Sequence, residues 1–384
     1  MRNKAISVIK YAIGFCQAFW SEIILSKLST GNHAILVNPK DDIVLYGRTF
    51  KNFIHNLDRT IPIYAINIGI IKYHRINKFL TNELINLKKI KLNKKNYSEK
   101  DVRGEYFLCW GIADVKIRSI LNNKNIISVE DGFIRSVGLG YSFTHPLSLV
   151  FDLNGIYFDP RQPSDLEIIL SEIILNEPQK VRINKIIMEI NKHHITKYNS
   201  EKISPLKINT TKKIILVPGQ VEDDASIIYG TNEINTNYKL LQKVKELNPE
   251  AYIIYKPHPD VAAGNRIGAK EHKQCIGIAD QIIQDVSICS CILACEEVHT
   301  MTSLSGFDAL IRGKRVYTYG MPFYAGWGLT IDQTSNSRRQ RQLTVAELVY
   351  GVLISYPTYY DLKANRIICI EDAIDLIKNN LNNN

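Results

Sequence analysis

Residues 214–220 read Ile214-Ile215-Leu216-Val217-Pro218-Gly219-Gln220, and this stretch decides the fold. Its aliphatic run predicts a short buried strand, and the Pro-Gly pair that follows predicts a turn at the end of that strand. The residues before it, 200–213, are polar and show no helical pattern. The strand therefore begins a second series of elements instead of continuing an earlier one.

Short β-rich runs alternate with longer helical patterns on both sides of this stretch. Strands separated by helices are typical of βαβ units, which build mainly parallel sheets. In the first part of the chain we predict strands at residues 34–37, 43–46, 63–67, 106–110 and 126–129. In the second part we predict strands at residues 214–218, 251–255, 298–301 and 316–319.

The two series of strands predict an α/β fold of two Rossmann-like domains, residues 1–211 and 212–384, with the boundary near Lys212. Ligands bind beyond the carboxyl ends of the strands in open α/β sheets, so we expect the site in a central cleft between the two domains. Near the C-terminus, Thr344 and Glu347 predict a capping box at the start of a helix over 343–354. The terminal helices are expected with the second domain or packed back on the first.

Composition excludes several classes of protein. A chain of 384 residues with 45% hydrophobic residues can bury a sizeable core, so disorder is not expected. The net charge of +10 favours an anionic partner. Lysines and arginines concentrate at 88–95 and 338–341, but no nucleic-acid-binding motif accompanies them, so we expect no nucleic-acid partner. The run at 338–341 is expected to be solvated, or to face an anionic lipid or glycan.

Cysteine usage and the N-terminus indicate a protein that stays in the cytoplasm. Seven scattered cysteines do not form the pattern of a disulfide framework. Cys289, Cys291 and Cys295 cluster among apolar residues without a fourth ligand nearby, which favours packing over zinc binding. Polar residues interrupt the apolar stretch at 12–25, so it falls short of the roughly 18 apolar residues of a membrane span. We also find no secretory signal with a cleavage site.

An acidic pair, Glu130-Asp131, follows the predicted strand at 126–129 and precedes Gly132. The glycine would let the backbone turn and place one carboxylate at the mouth of the cleft, where burial or a like charge raises a carboxyl pKa. Such a pair suits an acid and a base, or an acid and a nucleophile. The alternative is a strand-to-helix turn in which the acidic side chain caps the next helix.

A histidine between two prolines, Pro257-His258-Pro259, follows Lys256 at the end of the predicted strand over 251–255. The prolines fix the backbone around the imidazole, which suits a histidine that contacts the phosphate of a departing nucleotide. Lys256 would add a second positive charge. The alternative is a histidine held in a proline turn and exposed to water.

A hydroxyl-rich loop with Thr302, Ser303 and Ser305 leads through Gly306 into a predicted helix. The N-terminus of a helix presents unpaired N–H groups and a positive dipole end, which predicts a phosphate cradle. The hydroxyl groups of Ser303 and Ser305 would add donors. The alternative is simple N-capping by Ser303.

The turn at Gly219-Gln220 ends the strand that decides the fold, and a glycine-containing turn at this place often meets a nucleotide. The acidic residues Asp223 and Asp224 make it an unusual phosphate site. Gln220 would therefore contact a sugar or a base, while the two aspartates cap the next helix.

Together, the Glu-Asp-Gly, His-Pro and serine-rich motifs resemble the signatures of bacterial sialyltransferases that use CMP-activated sugars. Longer stretches are more specific and resemble the KpsC capsule β-Kdo transferases. These stretches are residues 131–140, 165–167, 219–224, 299–307, 319–330 and 338–341. KpsC proteins commonly carry two such transferase modules in tandem, and this chain has the length of one.

The resemblance implies a GT-B-like architecture, CMP-Kdo as the donor and retention of the β configuration. The first domain would lie on the acceptor side and the second would bind the CMP-sugar. Asp131 is then the candidate nucleophile, and Glu130 is an acid/base partner or a structural neighbour. Arg135 would clamp the carboxylate of Kdo, and His258 and Lys256 would hold the departing phosphate of CMP. The remaining donor-binding residues are Gly219, Gln220, Thr302, Ser303, Ser305 and Gly306.

The resemblance also implies partners and the absence of a cofactor. No metal is expected, because cationic side chains can offset the charge of the leaving group. The expected partners are CMP-Kdo, a Kdo-terminated lipid or glycan acceptor, and capsule-assembly proteins at the inner face of the cytoplasmic membrane. Two alternatives stay open: an inverting CMP-sugar transferase with Asp131 as general base, and a non-catalytic capsule-assembly component. Tyr324 and Trp327 would stack on a base or sugar, or pack in the core.

Overall fold

The computed structural model describes residues 48–81, 85–90, 105–121, 125–138, 144–199, 204–262, 275 and 277–382. The strands predicted at 34–37 and 43–46, the apolar stretch at 12–25 and Cys16 lie outside these residues. The chain divides into two compact units. Unit 1 comprises the described parts of Met1–Asn154, Lys197–Ser200 and Val352–Asn384, and unit 2 those of Gly155–Thr196 and Glu201–Gly351.

Unit 1 contains a mixed sheet, which has seven strands within the described residues. They are β1 (Ile63–Ile66), β2 (Leu87–Ile90), β3 (Tyr106–Trp110), β4 (Asn125–Asp131), β5 (Ser148–Asp152), β12 (Pro357–Asp361) and β13 (Arg366–Ile368). Their order across the sheet is β13-β12-β5-β4-β3-β1-β2. Strands β1 to β4 run parallel, whereas β5 is antiparallel to both β4 and β12. Among these strands, the order reverses between β1 and β3, which defines a topological switch point.

The core of unit 1 forms where helices cover this sheet. The described helices are α1 (Arg48–Asn56), α2 (Ile70–Thr81), α3 (Val115–Leu121) and α12 (Ile370–Asn382). Ile63 and Ala65, alternate residues of β1, are fully buried, as the period of a strand requires. Phe50 of α1 stacks on Phe151 of β5 with ring centroids 4.2 Å apart. Tyr360 of β12 packs in the same core, so the C-terminal strands are integral to unit 1.

Unit 2 contains a parallel sheet, which has six strands within the described residues. They are β6 (Ile214–Pro218), β7 (Tyr252–Lys256), β8 (Gln281–Ile282), β9 (Glu297–Thr300), β10 (Arg315–Thr318) and β11 (Ile331–Asp332). Read from β8, their order is β8-β7-β6-β9-β10-β11, which is the 3-2-1-4-5-6 order of Rossmann sheets. The switch point lies between β6 and β9. The carboxyl ends of all six strands lie at one edge because every pair is parallel.

Local capping signals begin several helices of unit 2. The described helices are α4 (Asp165–Glu172), α5 (Glu177–Lys192), α6 (Ala225–Gly230), α7 (Asn237–Leu247), α8 (Pro259–Ala262), α9 (Ile288–Ala294), α10 (Leu304–Ile311) and α11 (Val345–Tyr350). The predicted capping box of Thr344 and Glu347 is present at the start of α11. A second capping box, of Asn176 and Gln179, begins α5. A π-helical segment, Gly351–Ser355, follows α11.

The two units differ from the predicted division at Lys212. Helices α4 and α5 belong to unit 2, where Asn191 of α5 donates a hydrogen bond to the carbonyl of Ile311 at 3.0 Å. The described residues from Val352 onward belong to unit 1, because β12 pairs with β5. The units therefore do not follow a single boundary at Lys212, while the C-terminal elements take one of the two placements expected for them, with the first unit. Local sequence pattern marks where a series of strands begins, but it does not report antiparallel pairing between strands about 200 residues apart.

The cysteines and apolar helices can be followed only within the described residues. Cys289, Cys291 and Cys295 are buried at α9 and just beyond it. No group of three or more His, Cys, Asp or Glu side chains in the described ranges is arranged to hold a metal ion. No helix among these residues combines the length and the apolar character of a membrane span.

Candidate active site

The acidic pair lies at the carboxyl end of β4, within unit 1. Asp131 is the last residue of the strand, and its side chain is 17% exposed. Its Oδ2 atom accepts a hydrogen bond from Nε of Arg135 at 2.7 Å. Arg135 is 3% exposed and also donates from Nη1 to the hydroxyl of Ser136 at 2.9 Å. Arg135 therefore orients the carboxylate of Asp131. The sequence predicts a different role for Arg135, as a clamp for the carboxylate of Kdo, and that role does not include this contact.

Gly132 is required by close packing and not by an unusual backbone conformation. A Cβ atom at this position would lie 2.2 Å from Oγ of Ser148, on the neighbouring strand β5. Ser148 in turn donates a hydrogen bond to the carbonyl of Ile134 at 2.5 Å. Residues 132–138 contain no helix, so the alternative in which the acidic side chain caps a following helix is wrong.

A short segment far along the chain holds the loop that follows β4. The carbonyl of Lys197 accepts hydrogen bonds from the backbone N–H groups of Arg135 and Ser136, at 3.0 and 3.2 Å. Asn199 has a φ of 48° and donates from its side chain to the carbonyl of Ser136 at 3.1 Å. These bonds fix the backbone of Arg135, and through its guanidinium they fix the position of Asp131.

Glu130 has different electrostatic surroundings from Asp131. Burial raises the pKa of Glu130 from 4.5 to about 7, and the charge of Asp131 adds to this rise. The positive charges of Lys197 and Lys72 oppose it. Oε1 of Glu130 accepts a hydrogen bond from the N–H of Asp131 at 3.0 Å. One carboxylate is thus held in an ion pair, while its neighbour can gain and lose a proton near neutral pH, and this division suits acid/base chemistry.

Sequence reasoning missed two groups of unit 1: Lys72, whose charge acts on the acidic pair, and His145. Nζ of Lys72, in the first turn of α2, lies 3.6 Å from the ring centroid of Trp110, the last residue of β3. Burial lowers the pKa of Lys72, and the charges of Glu130 and Asp131 oppose this effect. The second group is His145, whose Nε2 atom is buried without a hydrogen-bond partner among the described residues. The place of Lys72 just after a predicted strand is a signal that could have identified it, whereas His145 lies in no motif.

In unit 2, Gln220 joins the two strands that flank the switch point. Its Oε1 accepts hydrogen bonds from the N–H of Thr302 at 3.0 Å and from the hydroxyl of Thr300 at 3.3 Å. Its Nε2 donates to Oγ1 of Thr302 at 3.0 Å. Asn237 exchanges two hydrogen bonds of 2.8 Å with the backbone of Gln220. Gln220 and Thr302 thus form a bridge between the loops after β6 and β9, and Gln220 supports the predicted donor site instead of projecting from it.

The Pro-His-Pro turn packs directly against the turn after β6. The N–H of Gly219 donates to the carbonyl of Lys256 at 2.7 Å. A Cβ atom on Gly219 would lie 2.8 Å from the hydroxyl of Tyr255 and 3.1 Å from the backbone nitrogen of His258. His258 is half-buried, whereas Lys256 is 5% exposed and donates to the carbonyl of Gln284 at 3.3 Å. Only glycine fits beside the turn that carries His258.

The serine-rich loop begins α10 as the sequence predicts. Ser303 caps the helix by accepting a hydrogen bond from the N–H of Ser305 at 3.2 Å, and its hydroxyl donates to that of Ser305 at 3.1 Å. N-capping by Ser303 is therefore present. A Cβ atom on Gly306 would lie 2.2 Å from the hydroxyl of Tyr324, which itself donates to the carbonyl of Ser303. Gly306 makes room for this support beneath the loop.

Two aromatic residues of the loop between β10 and β11 are parts of the core of unit 2. Tyr324 and Trp327 are fully buried, and Nε1 of Trp327 donates to the carbonyl of Phe323 at 2.9 Å. Of the two uses considered for these aromatic residues, core packing is the one that the structure shows. Neither ring is available to stack on a base or a sugar.

The three arginines of the basic run at 338–341 are paired with carboxylates, although Arg338 and Arg341 remain partly exposed. Arg338 and Arg339 both donate to Glu167 of α4, at 2.5 and 2.9 Å. Arg339 is 3% exposed and Glu167 is 6% exposed, so this ion pair is buried. Arg341 pairs with Glu347 at 2.9 Å. The run therefore anchors residues 338–341 to α4 and α11 within unit 2.

Comparisons with known proteins identify the family of the chain. The family described as "Capsule polysaccharide biosynthesis protein" matches residues 107–204 and 174–359. The capsule polysaccharide modification protein LipA of Neisseria meningitidis serogroup A is 42% identical over 317 residues, which are 82% of this chain. The chain belongs to the capsule polysaccharide biosynthesis protein family. The lipopolysaccharide-processing protein LpsZ of Rhizobium meliloti is 40% identical over 260 residues, which are 66% of this chain.

Two solved structures of KpsC transferases are similar to this member of the capsule polysaccharide biosynthesis family. The β-Kdo 2,7 transferase of Thermosulfurimonas dismutans KpsC is 36% identical, with a TM-score of 0.70 over 83% of this chain and 99% of that one. The β-Kdo 2,4 transferase of the same KpsC is 28% identical, with a TM-score of 0.74 over 84% and 99%. The predicted resemblance to KpsC and the predicted α/β fold of two Rossmann-like domains are confirmed. The chain spans 45% of the length of LipA and 59% of LpsZ.

Proposed function

We propose that the chain is a retaining β-Kdo transferase of capsule polysaccharide biosynthesis. It would move Kdo from CMP-Kdo to a Kdo-containing lipid or glycan acceptor, through a covalent intermediate on Asp131. The observation that carries the proposal is the contrast between neighbouring carboxylates: Asp131 is ion-paired with Arg135, and Glu130 has a pKa of about 7. Similarity to two KpsC β-Kdo transferase structures supports the choice of sugar.

In the first step, one oxygen of the Asp131 carboxylate attacks the anomeric carbon of Kdo. The bond from that carbon to the phosphate oxygen breaks, and CMP leaves with the electron pair. Oδ2 of Asp131 is held by Arg135, so its partner oxygen is the attacking atom. A carboxylate nucleophile of this kind is typical of retaining glycosyl transfer.

In the second step, an acceptor hydroxyl attacks the same carbon and releases Asp131. Glu130 takes the proton of that hydroxyl, because its raised pKa suits a base that works near neutral pH. Two successive inversions at the anomeric carbon give net retention of the β configuration.

Unit 2 supplies the groups that hold the nucleotide. Lys256 ends β7 and His258 follows it, and the capped N-terminus of α10 follows β9. All of these groups therefore lie at the carboxyl edge where Rossmann sheets bind nucleotides. Positive charge and N–H donors at this edge would offset the charge of the departing phosphate without a metal. Capsule-assembly proteins at the inner face of the cytoplasmic membrane are the proposed partners.

The configuration of the product tests this proposal. Wild-type protein is incubated with CMP-Kdo, generated in situ, and a synthetic Kdo-terminated acceptor, and the product is analysed by NMR. A β-linked Kdo product is expected. An α-linked product would instead support an inverting transferase with Asp131 as general base, and CMP binding without any turnover would support a non-catalytic role in capsule assembly.

A further inference from the structure

The end of α6 lies where several loops at the carboxyl edge of the unit 2 sheet meet. A Cβ atom on Gly230, the last residue of α6, would lie 3.0 Å from Cγ2 of Thr302, in the loop after β9. The carbonyl of Gly230 accepts a hydrogen bond from the N–H of Met321, in the loop after β10, at 2.7 Å. The carbonyl of Phe158, in the segment before α4, would lie 3.9 Å from the same Cβ atom. These contacts bring the segment before α4 to the carboxyl edge of the sheet.

An arginine of that segment is stacked on a tyrosine of α6. The guanidinium carbon of Arg161 lies 3.7 Å from the ring centroid of Tyr229. Its Nε and Nη2 atoms donate to the two carboxylate oxygens of Asp159, each at 2.8 Å. Asp159 is 3% exposed, and its Oδ1 atom also accepts a hydrogen bond from the N–H of Arg161 at 3.1 Å. Because a bidentate pair fixes the plane of a guanidinium, Arg161 is held in one orientation before any ligand binds.

Arg161 nevertheless keeps a flat surface exposed. Its side chain is 55% exposed although the ring of Tyr229 covers one face of the guanidinium, so the opposite face is open. The buried carboxylate of Asp159 balances the charge of Arg161 and occupies one edge of its plane. A phosphate is therefore a poor partner for this group, since it needs uncompensated charge and free donors. A planar ring is a better one, because guanidinium planes stack on aromatic rings and on nucleobases.

Helix α6 borders the switch point of the unit 2 sheet. It follows β6, and the switch point lies between β6 and β9. The hydroxyl of Thr302, which is bonded to Gln220 at that point, also donates to the hydroxyl of Ser226 in α6 at 3.4 Å. Open α/β sheets bind nucleotides in the crevice at the switch point. A nucleotide bound there would have α6 as a neighbour, with the stack of Tyr229 and Arg161 at the end of this helix.

We propose that Arg161 is the platform on which the base of the donor nucleotide stacks, with Tyr229 behind it and Asp159 holding it in plane. The identity of that base as the cytosine of CMP rests on the proposed function. Stacking needs a ring and no particular pattern of hydrogen bonds, so Arg161 contributes affinity for a nucleotide and no preference among bases. Arg161 thus extends the donor site beyond the phosphate-binding groups that the sequence motifs identify.

Binding of a nucleotide and of its counterpart without a base tests the platform. CMP and ribose 5-phosphate are titrated, with NMR detection, into wild type, Arg161→Lys and Arg315→Lys. Arg161→Lys keeps the positive charge beside Asp159 but removes the plane. Arg315 is the matched control: it is 64% exposed and paired with Glu297 at 3.1 Å, but it begins β10 and so lies at the opposite edge of the sheet. We expect Arg161→Lys to weaken CMP about 5- to 100-fold and to leave ribose 5-phosphate unchanged, whereas Arg315→Lys should change neither.

A second substitution and a product assay distinguish failure of the platform from failure of the proposed function. Tyr229→Leu removes the ring behind Arg161 and should also weaken CMP, while unchanged binding of ribose 5-phosphate shows that the variant is folded. The platform is overturned if Arg161→Lys binds CMP as tightly as wild type. It is also overturned if CMP and ribose 5-phosphate weaken by the same factor, because the contact is then with the phosphate or the ribose. If Arg161→Lys shows the expected loss but wild type forms no Kdo product from CMP-Kdo, the proposed function fails while the platform stands.

Discussion

Nε of Arg135 lies 2.7 Å from Oδ2 of Asp131, four residues earlier in the chain, and both side chains are largely buried. Hydrogen bonds to a charged group contribute about 1.5–3 kcal/mol and fix the orientation of both partners. In the proposed reaction, this bond holds one carboxylate oxygen while the other attacks the sugar. Under the proposed mechanism the pair acts as one unit, in which Arg135 positions the nucleophile.

Replacing Arg135 tests whether it positions Asp131 or clamps the donor. Arg135→Lys keeps the charge but loses the planar fork that contacts Asp131 and Ser136 together. We expect kcat to fall about 10- to 100-fold, as for the loss of a charge-assisted hydrogen bond, with little change in the KM for CMP-Kdo. Steady-state kinetics with varied donor provide the measurement. A rise in KM at unchanged kcat would instead support the clamp that the sequence suggests.

The substitution Glu130→Gln should remove the pH dependence of the transfer rate. Because the pKa of Glu130 is raised to about 7, transfer by wild type should increase as pH rises through 7, when the base loses its proton. The variant should be about 10²- to 10⁴-fold slower and show no such step.

The stability of the chain should depend on the same carboxyl group. The pKa of Glu130 is about 7 in the folded chain and 4.5 ordinarily, so its contribution to the free energy of unfolding falls as pH rises from 4.5 to 7. Urea unfolding across this range should show that the variant lacks this fall, and an unchanged pH profile would contradict the assignment.

Gly219→Ala should disturb the turn that carries His258. The new methyl group would overlap the hydroxyl of Tyr255 and crowd the backbone of His258, and such overpacking costs about 1–3 kcal/mol. Binding of CMP, measured by calorimetry, should weaken about tenfold or more if that turn holds the phosphate. Gly69→Ala is the matched control, since a Cβ there has no heavy atom within 4 Å. Equal CMP affinity in both variants would show that the turn carrying His258 does not hold the nucleotide.

The ion pairs of Glu167 should differ in their effect on stability. Arg339→Gln leaves a buried carboxylate without its buried partner, and breaking such a pair costs about 3–5 kcal/mol. Arg338 is 35% exposed, so Arg338→Gln should cost about 1 kcal/mol or less. Chemical denaturation of the two variants measures the difference. Similar free energies of unfolding would show that Glu167 needs only one arginine.

Much of this fold can be predicted from the sequence, because it is encoded locally. The strands at 106–110 and 214–218 match the structure, since short aliphatic runs ended by turn residues form buried strands. The capping box of Thr344 and Glu347 is also local and is present. The place of β12 beside β5 depends on contacts between distant residues, which no local pattern reports.

The candidate site, like the fold, can be predicted from the sequence only where it is encoded locally. The motifs identify Asp131, His258 and Ser303, because each lies where a strand ends. The structure adds what those motifs need from elsewhere: Lys197 holds the loop after β4, and Gln220 bridges two strands. The sequence does not predict the partner of Arg338 and Arg339, because Glu167 lies about 170 residues earlier and burial of an ion pair leaves no signal in charge spacing.

The most direct test of the central claim is a search for a covalent Kdo adduct on Asp131. Wild type, Asp131→Asn and Glu130→Gln are mixed with CMP-Kdo without acceptor, and intact-protein and peptide mass spectrometry locate any added sugar. We predict one Kdo on Asp131 in wild type, none in Asp131→Asn, and accumulation in Glu130→Gln, whose acceptor step is slowed. Normal transfer by Asp131→Asn, or an adduct on another residue, would contradict the account.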